Sequence, residues 1–160
     1  MKTSDNGRKF IESFEGKFLQ AYDDSDDRIV NPGDPVHGTL TIGYGHTDAA
    51  GPPHVYPGMS IDDATADAIL ASDLAAVEIE VNHLVKVPLN QNQFDALVSF
   101  QFNTGGLARS SALRDINAGN FGEVAADLNL WVRSGGVVMR GLVRRRAAEG
   151  VLFNTPEEQA

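Results

Sequence analysis

Two carboxylates mark the chemistry open to this chain. Glu15 closes a short amphipathic run and is followed at once by Gly16; Asp24 comes after eight more residues, counted from Gly16 to Asp23. A carboxyl at a helix end is partly shielded by packed neighbours and suits proton donation, whereas one in a wet loop suits charge stabilisation or activation of water. Such a pair fits hydrolysis of a glycosidic bond, one group as acid and the other as base. The competing reading is two solvated surface acids, the common fate of Asp and Glu. A third group, Thr41, sits in Leu40-Thr41-Ile42-Gly43-Tyr44-Gly45-His46-Thr47. Alternation over residues 39–42 predicts a strand there, and Gly43 and Gly45 allow close backbone approach or positive φ.

The elements that must position these groups follow from spacing. Thr3 or Ser4 can cap a first helix carrying Phe10, Ile11 and Phe14, which delivers Glu15 at its end. Residues 17–47 read as strands and turns, and residues 48–58, rich in Gly and Pro, as a loop. Ser60 is the expected cap of a second helix, with Asp62 and Asp63 in its first turn. Its inward positions are Ile61, Ile69, Leu74, Val77, Val81 and Leu84, over about 25 residues before Pro88. Asn90-Gln91-Asn92-Gln93 is a capping-box start for an apolar helix with Phe94, Leu97, Val98 and Phe102. A short helix from Arg109 stops at Gly119. Another spans Phe121 to Trp131, with Trp131 read as core rather than as a sugar-stacking ring. Ser134-Gly135-Gly136 reads as a loop, Gly141 to Glu149 as a last helix ending at Gly150, and residues 154–160 as a frayed tail.

Composition bounds the rest. At 160 residues and 42% hydrophobic, the chain is read as one domain with a real core. It has no cysteine, so disulfide and thiolate chemistry are excluded. No apolar run is long enough to span a membrane, and Met1 to Gly7 lacks the apolar core of a signal peptide. The chain is therefore expected to be made in the cytoplasm or cut from a longer protein. Net charge is −9, concentrated early: residues 1–82 hold 5 basic and 15 acidic residues, residues 83–160 hold 8 and 7. That balance argues against nucleic-acid binding. His37, His46, His54 and His83 lack metal-ligand spacing, and the acids at 23–27 lack the glycine and distal Glu of a calcium loop, so no metal is expected.

The blocks Phe14-Glu15-Gly16, Tyr22-x-Asp24 and Thr41 to Thr47 resemble the phage-type lysozymes, glycoside hydrolase family 24. So do Leu89 to Leu97 with Phe102-Asn103-Thr104-Gly105, and Gly141-Leu142-Val143-Arg144-Arg145-Arg146-Ala147-Ala148-Glu149. The endolysins of lambdoid phages are the nearest look, over residues 8 to 153. The resemblance implies an α+β, mainly α, lysozyme-like fold with two lobes. The small β-hairpin lobe would be 16–59, a linking helix 60–85, the helical lobe 86–153 and a tail 154–160. It implies a muramidase in which Glu15 is the general acid and Asp24 and Thr41 position or activate water. The interval from Asp24 to Thr41, sixteen residues, is longer than the family's. It is read as a lengthened hairpin that keeps Thr41 in place, and Asp23, Asp26 and Asp27 lie near enough to replace Asp24.

The resemblance also implies a sugar contact for Asn103, whose competing role is a hydrogen bond within the turn. Arg145 is the implied substrate-side arginine that orients Glu15, with Arg144 possible by a slip of one residue. His46 and Asp73 are implied as a structural ion pair. No cofactor and no metal are implied. Peptidoglycan is the implied partner, with a separate holin-type membrane protein for release from the host cytoplasm to the periplasmic wall. A monomer without membrane insertion is expected. The alternative is a muramidase-like scaffold module that binds peptidoglycan or protein with weak or no catalysis, favoured by the acidic early half and the 25–39 insertion.

Overall fold

A computed structural model describes residues 1–158. The chain forms two compact units: a sheet unit, Ile11–Asp73, and a helical unit made of Met1–Phe10 with Leu74–Ala160.

Helix α1 (Asp5–Phe14) runs from the helical unit into the sheet unit. Of the two candidate caps it is Ser4 that serves: its Oγ accepts the Gly7 N–H at 3.0 Å and its carbonyl the Arg8 N–H at 2.9 Å. Strands β1 (Phe18–Asp23), β2 (Arg28–Ile29) and β3 (Leu40–Gly43) then form an antiparallel sheet in the order β2-β1-β3. Tyr22 lies opposite Ile29 on one side and Thr41 on the other. The β1–β3 register slips between Phe18 and Tyr22. There the segment after the Pro-rich loop supplies the missing bonds, Ala21 N–H to the Met59 carbonyl and Ile61 N–H to the Leu19 carbonyl. Ala21, Ile42, Val55 and Met59 form the buried core of this unit, with Leu40 and Ile61 against it.

The 25–39 insertion is not a lengthened two-stranded hairpin. It adds an edge strand, β2, on the far side of β1 and returns across the strand end to β3. Pairing ends with the Val30 N–H on the Ala21 carbonyl, because Asn31, Pro32 and Gly33 form a turn in which Asp34 N–H bonds the Asn31 carbonyl, and proline has no N–H for a ladder.

Helix α2 (Asp63–Leu84) begins in the sheet unit and ends in the helical one. Its start is set by Asp62, not Ser60: the Asp62 carboxylate accepts the Thr65 N–H at 2.8 Å. In the helical unit, α3 (Gln91–Thr104) opens with the full capping box of Asn90 and Gln93 and closes on left-handed Gly105. Helix α4 (Ser111–Asn117) is capped by Ser110. The helix expected over Phe121–Trp131 is shorter, α5 (Val124–Leu128) after a single tight turn. What read as a loop at Ser134-Gly135-Gly136 is the turn of a small hairpin, β4 (Arg133–Ser134) paired with β5 (Val137–Val138). Gly135 and Gly136 both have positive φ, the geometry that a two-residue hairpin turn demands. Helix α6 (Arg140–Phe153) packs on α3 and α5. Phe94, Leu97, Phe100, Leu107, Ile116, Leu128 and Phe153 form the buried interior. The tail is tied down through residue 157: Asn92 Nδ2 donates to the Thr155 carbonyl and Gln91 N–H to the Glu157 carboxylate. Gln159 and Ala160, also read as frayed, lie outside the described residues.

Candidate active site

Glu15 follows α1 directly. Its N–H bonds the Ile11 and Glu12 carbonyls at 3.2 Å, so the last helical turn fixes its backbone. Its carboxyl is half-buried beside the glycine turn: a methyl group on Gly45 would stand 3.9 Å from Glu15 Oε2. That turn is closed by reciprocal bonds between Ile42 and His46, with Gly43 and Gly45 at positive φ. Thr41, one residue before it, is buried on β3, and its hydroxyl donates to the Thr39 carbonyl at 2.9 Å.

Four aspartates compete at the end of β1, and their surroundings differ. Asp24 is exposed; its Oδ1 accepts the Thr39 N–H at 2.7 Å, and its own N–H donates to the Thr39 carbonyl. Asp23 is fully buried. It accepts the Ser25 hydroxyl and N–H, the His37 N–H and the Gly38 N–H, and faces Arg28 Nη2 at 3.5 Å. The Ser25 hydroxyl bond, then those from His37 and Ser25 N–H, hold the Asp23 carboxyl far below the usual carboxylate range. With both oxygens so occupied, Asp23 is the knot that ties the insertion to the sheet. Asp26 caps the Arg28 N–H, and Asp27 fills a left-handed turn position at φ 59°.

His46 is buried, with Nδ1 2.8 Å from Asp73 Oδ2 and Nε2 2.8 Å from the Pro53 carbonyl. The carbonyl can only accept, so Nε2 carries a proton. Burial pushes the Asp73 carboxyl up, and His46 opposes that. The pair fastens the glycine turn to α2 and to the Pro-rich loop.

Two further expected residues lie in the helical unit. Arg145, expected on the substrate side, is only 3% exposed. Within this unit its guanidinium donates to the Ser99 hydroxyl and carbonyl and to Glu149 Oε1. Arg144 is exposed. Asn103 is exposed too, and its Oδ1 accepts Arg146 Nη2 at 2.7 Å. The spacing missed Arg146 and Glu149 as a buried pair, with Nε to Oε2 at 2.8 Å. Their signal was available: Glu149 stands three and four residues after the two arginines, on one helix face. Burial pushes the Glu149 carboxyl up, opposed first by Arg146 and then by Ser99 and Arg145.

A family model described as phage lysozyme matches residues 12–149. The chain belongs to the phage lysozyme family. The endolysin of Bacillus phage B103 is 39% identical over 99% of this chain, which spans 56% of that relative. The chain thus spans little more than half the length of this endolysin and of that of Bacillus phage PZA. The endolysin of Salmonella phage P22 is 39% identical over 96% of this chain and 98% of its own length. Among solved structures, the muramidase domain of SpmX from Asticaccaulis excentricus superposes with a TM-score of 0.81 at 39% identity, covering 97% of this chain and 99% of that one. The mainly helical architecture with a small three-stranded antiparallel sheet and one short hairpin is the phage lysozyme fold, as the sequence blocks implied. Among the described residues no helix is long and apolar enough to cross a membrane.

Proposed function

We propose that this chain is a muramidase that hydrolyses the β-1,4 bond between N-acetylmuramic acid and N-acetylglucosamine in bacterial peptidoglycan. The observation that carries the reading is the grouping of unlike acid–base partners within one sheet unit. Glu15 is half-buried against a glycine turn, whereas Asp24 is exposed and joined to Thr41 through Thr39. Glu15 donates its proton to the leaving glycosidic oxygen. Asp24 accepts a proton from a water that the Thr41 hydroxyl helps to hold, and that water attacks the anomeric carbon. Attack from the opposite face inverts the anomeric centre. Asp23 is a poor substitute for Asp24, because backbone and serine donors already occupy its oxygens. Asn103 offers its amide to the sugar. Arg145 acts as an orienter from within the fold rather than as an exposed sugar contact. In a phage setting the enzyme works as an endolysin on the periplasmic wall, with a separate holin-type membrane protein to let it out; in a bacterial genome the same chemistry remodels wall.

The test is reducing-end release from purified peptidoglycan by wild type, Glu15→Gln and Asp24→Ala, with the anomer of the first product read by NMR. The expected result is release by the wild type with inverted product and a loss of at least about a hundredfold in each variant, the scale of a missing acid or base. Undiminished release by Glu15→Gln overturns the assignment. No release by any form, with binding to sacculi retained, transfers the chain to the class of muramidase-like binding modules.

A further inference from the structure

Tyr22 lies at the centre of the sheet: on β1 it faces Thr41 of β3 on one side and Ile29 of β2 on the other. Directly opposed residues of an antiparallel pair share a face, so the Tyr22 ring and the Thr41 hydroxyl stand on one side of the sheet. Successive residues of a strand alternate in face. Asp24 carries the ladder one step further by donating its N–H to the Thr39 carbonyl, and so joins Tyr22 and Thr41, while Asp23 turns the other way and is buried.

The ring is fixed and its polar end is not spent. Tyr22 is 7% exposed, and its ring stacks on that of Phe18 with centroids 3.9 Å apart and planes 24° from parallel. Among the described residues its hydroxyl has no hydrogen-bond partner, yet it is not a buried orphan: it reaches solvent while the ring does not. Burial, then the fields of Asp27, Asp24 and Glu15, push the Tyr22 phenol up, so the group stays protonated and able to donate.

An attacking water needs such a donor. It has two O–H groups to give and two lone pairs to receive with. Asp24 as a carboxylate can only accept. Thr41 has spent its single proton on the Thr39 carbonyl at 2.9 Å, so toward the water it too can only accept. Both O–H groups of the water are thereby taken, and one lone pair must stay free to attack. The other lone pair calls for a donor, and of the three groups on this face Tyr22 alone has a proton to offer.

We propose that Tyr22 is a further catalytic residue: its hydroxyl donates a hydrogen bond to the attacking water and aims the remaining lone pair at the anomeric carbon. The proposal rests on the muramidase reading and completes its water-handling half. The water oxygen bonds to the anomeric carbon as the glycosidic C–O bond breaks. One water proton passes to Asp24, the Glu15 proton goes to the leaving oxygen, and Tyr22 keeps its own.

Tyr22→Phe keeps the ring, its burial and the stack on Phe18, and removes the hydroxyl alone. The intact chain, this variant and Glu15→Gln are compared on soluble peptidoglycan fragments and on an aryl β-glycoside of the same glycan, whose leaving group needs no proton. Circular dichroism checks folding. A further protein carries a ring-fluorinated tyrosine at position 22, nearly the same in shape but with a more acidic phenol. The expected result for Tyr22→Phe is a fall in kcat of at least about tenfold with KM little changed, the scale of a lost donor at a reacting centre. That loss persists on the aryl glycoside, whereas Glu15→Gln recovers there because the acid is no longer needed. In the fluorinated protein the alkaline fall of kcat begins at lower pH than in the wild type. Wild-type kcat in a folded Tyr22→Phe, its recovery on the aryl glycoside in step with Glu15→Gln, or an alkaline limb that does not move overturns the role. Should Tyr22→Phe fail to fold, the fluorinated protein decides. Undiminished release by Tyr22→Phe beside an active wild type leaves the muramidase standing without Tyr22; no release by the wild type removes both.

Discussion

The Asp24 carboxylate and the Thr41 hydroxyl grip one residue by its two polar ends: Thr39 N–H donates to Asp24 Oδ1 at 2.7 Å, and Thr41 Oγ1 donates to the Thr39 carbonyl at 2.9 Å. The two groups proposed to handle water are therefore positioned by the same short piece of backbone. Thr41→Val keeps the shape and removes the hydroxyl. It should lower kcat by one to two orders of magnitude, about the worth of a positioned hydrogen bond at a reacting centre, and Thr41→Ser should recover most of it. A Thr41→Val enzyme with wild-type kcat would take Thr41 out of the mechanism.

Gly38 is the residue that permits this approach. A β-carbon there would stand 2.3 Å from Asp24 Oδ1 and 2.8 Å from Asp23 Oδ1. Gly38→Ala must push the Asp24 carboxylate aside. Misplacement by about 1 Å costs on the order of a hundredfold in rate, so kcat should fall that far while KM changes little. Steady-state kinetics on soluble glycan fragments, beside a circular dichroism spectrum, would read the effect; unaltered kcat in a folded variant contradicts it.

Asp23 gives a pH dependence of stability with a definite sign. Its carboxyl is held below the ordinary value by hydrogen bonds to its charged form. The stabilisation is therefore fully present above the unfolded value, about pH 4, and is lost as pH falls toward the folded one. Asp23→Asn keeps the shape but brings an NH2 against N–H donors. Its Tm should lie well below that of wild type at pH 6, and the gap should narrow steadily below about pH 4. A gap that stays constant down to pH 2 would refute the role given to Asp23.

His46 and Asp73 bury one another, and removing one partner leaves the other stranded. Asp73 Oδ1 already lacks a hydrogen-bond partner in its buried position. His46→Leu should cost about 3 kcal/mol in urea unfolding, the scale for an orphaned buried charge. Asp73→Asn can still hydrogen-bond the imidazole, its NH2 donating to Nδ1, and should cost less. The reverse order would mean that the pair does not hold the glycine turn.

Glu149 serves two buried arginines at once, through Oε1 to Arg145 and both oxygens to Arg146. Glu149→Ala should destabilise the helical unit by about 3–5 kcal/mol. Because Arg146 orients the Asn103 amide, the folded fraction should also bind glycan more weakly. Calorimetry and sacculus pull-down would measure the two effects separately.

What could be read from the sequence divides along physical lines. Local rules carried far: Ser4 and Asn90 cap the helices they precede, with Gln93 completing the box from inside α3, because a side-chain oxygen three residues before a free N–H needs no tertiary partner. Adjacent residues of one type were harder. Nothing in Asp23-Asp24 says which acid turns inward, since β1 is the central strand and buries Ala21, Tyr22 and Asp23 consecutively. Alternation fails where a strand has neighbours on both edges and a loop folded over its end. The β4–β5 hairpin was hidden by its strands of two residues each, too short to show a period; its only signal was the glycine pair. Arg145 was expected on the substrate side, and Glu149, four residues on along the same helix face, was the clue that its guanidinium would be buried.

The sheet unit is one unbroken stretch, Ile11–Asp73, set inside a helical unit whose chain begins before it and resumes after it. A ribosome therefore delivers the two units in a fixed order. The stretch holding Glu15, Asp24 and Thr41 is complete when Asp73 emerges. The helical unit has then only its first residues, and these must wait: the Ser4 N–H finds Asp95 across 91 positions, and the Met1 amino group finds Asn82 across 81. Its interior closes only when Phe153 arrives on the last helix. Translation thus assembles the proposed acid, hydroxyl and base first and withholds the finished second unit until the end, so a nascent chain interrupted midway holds Glu15, Asp24 and Thr41 without the rest of the fold.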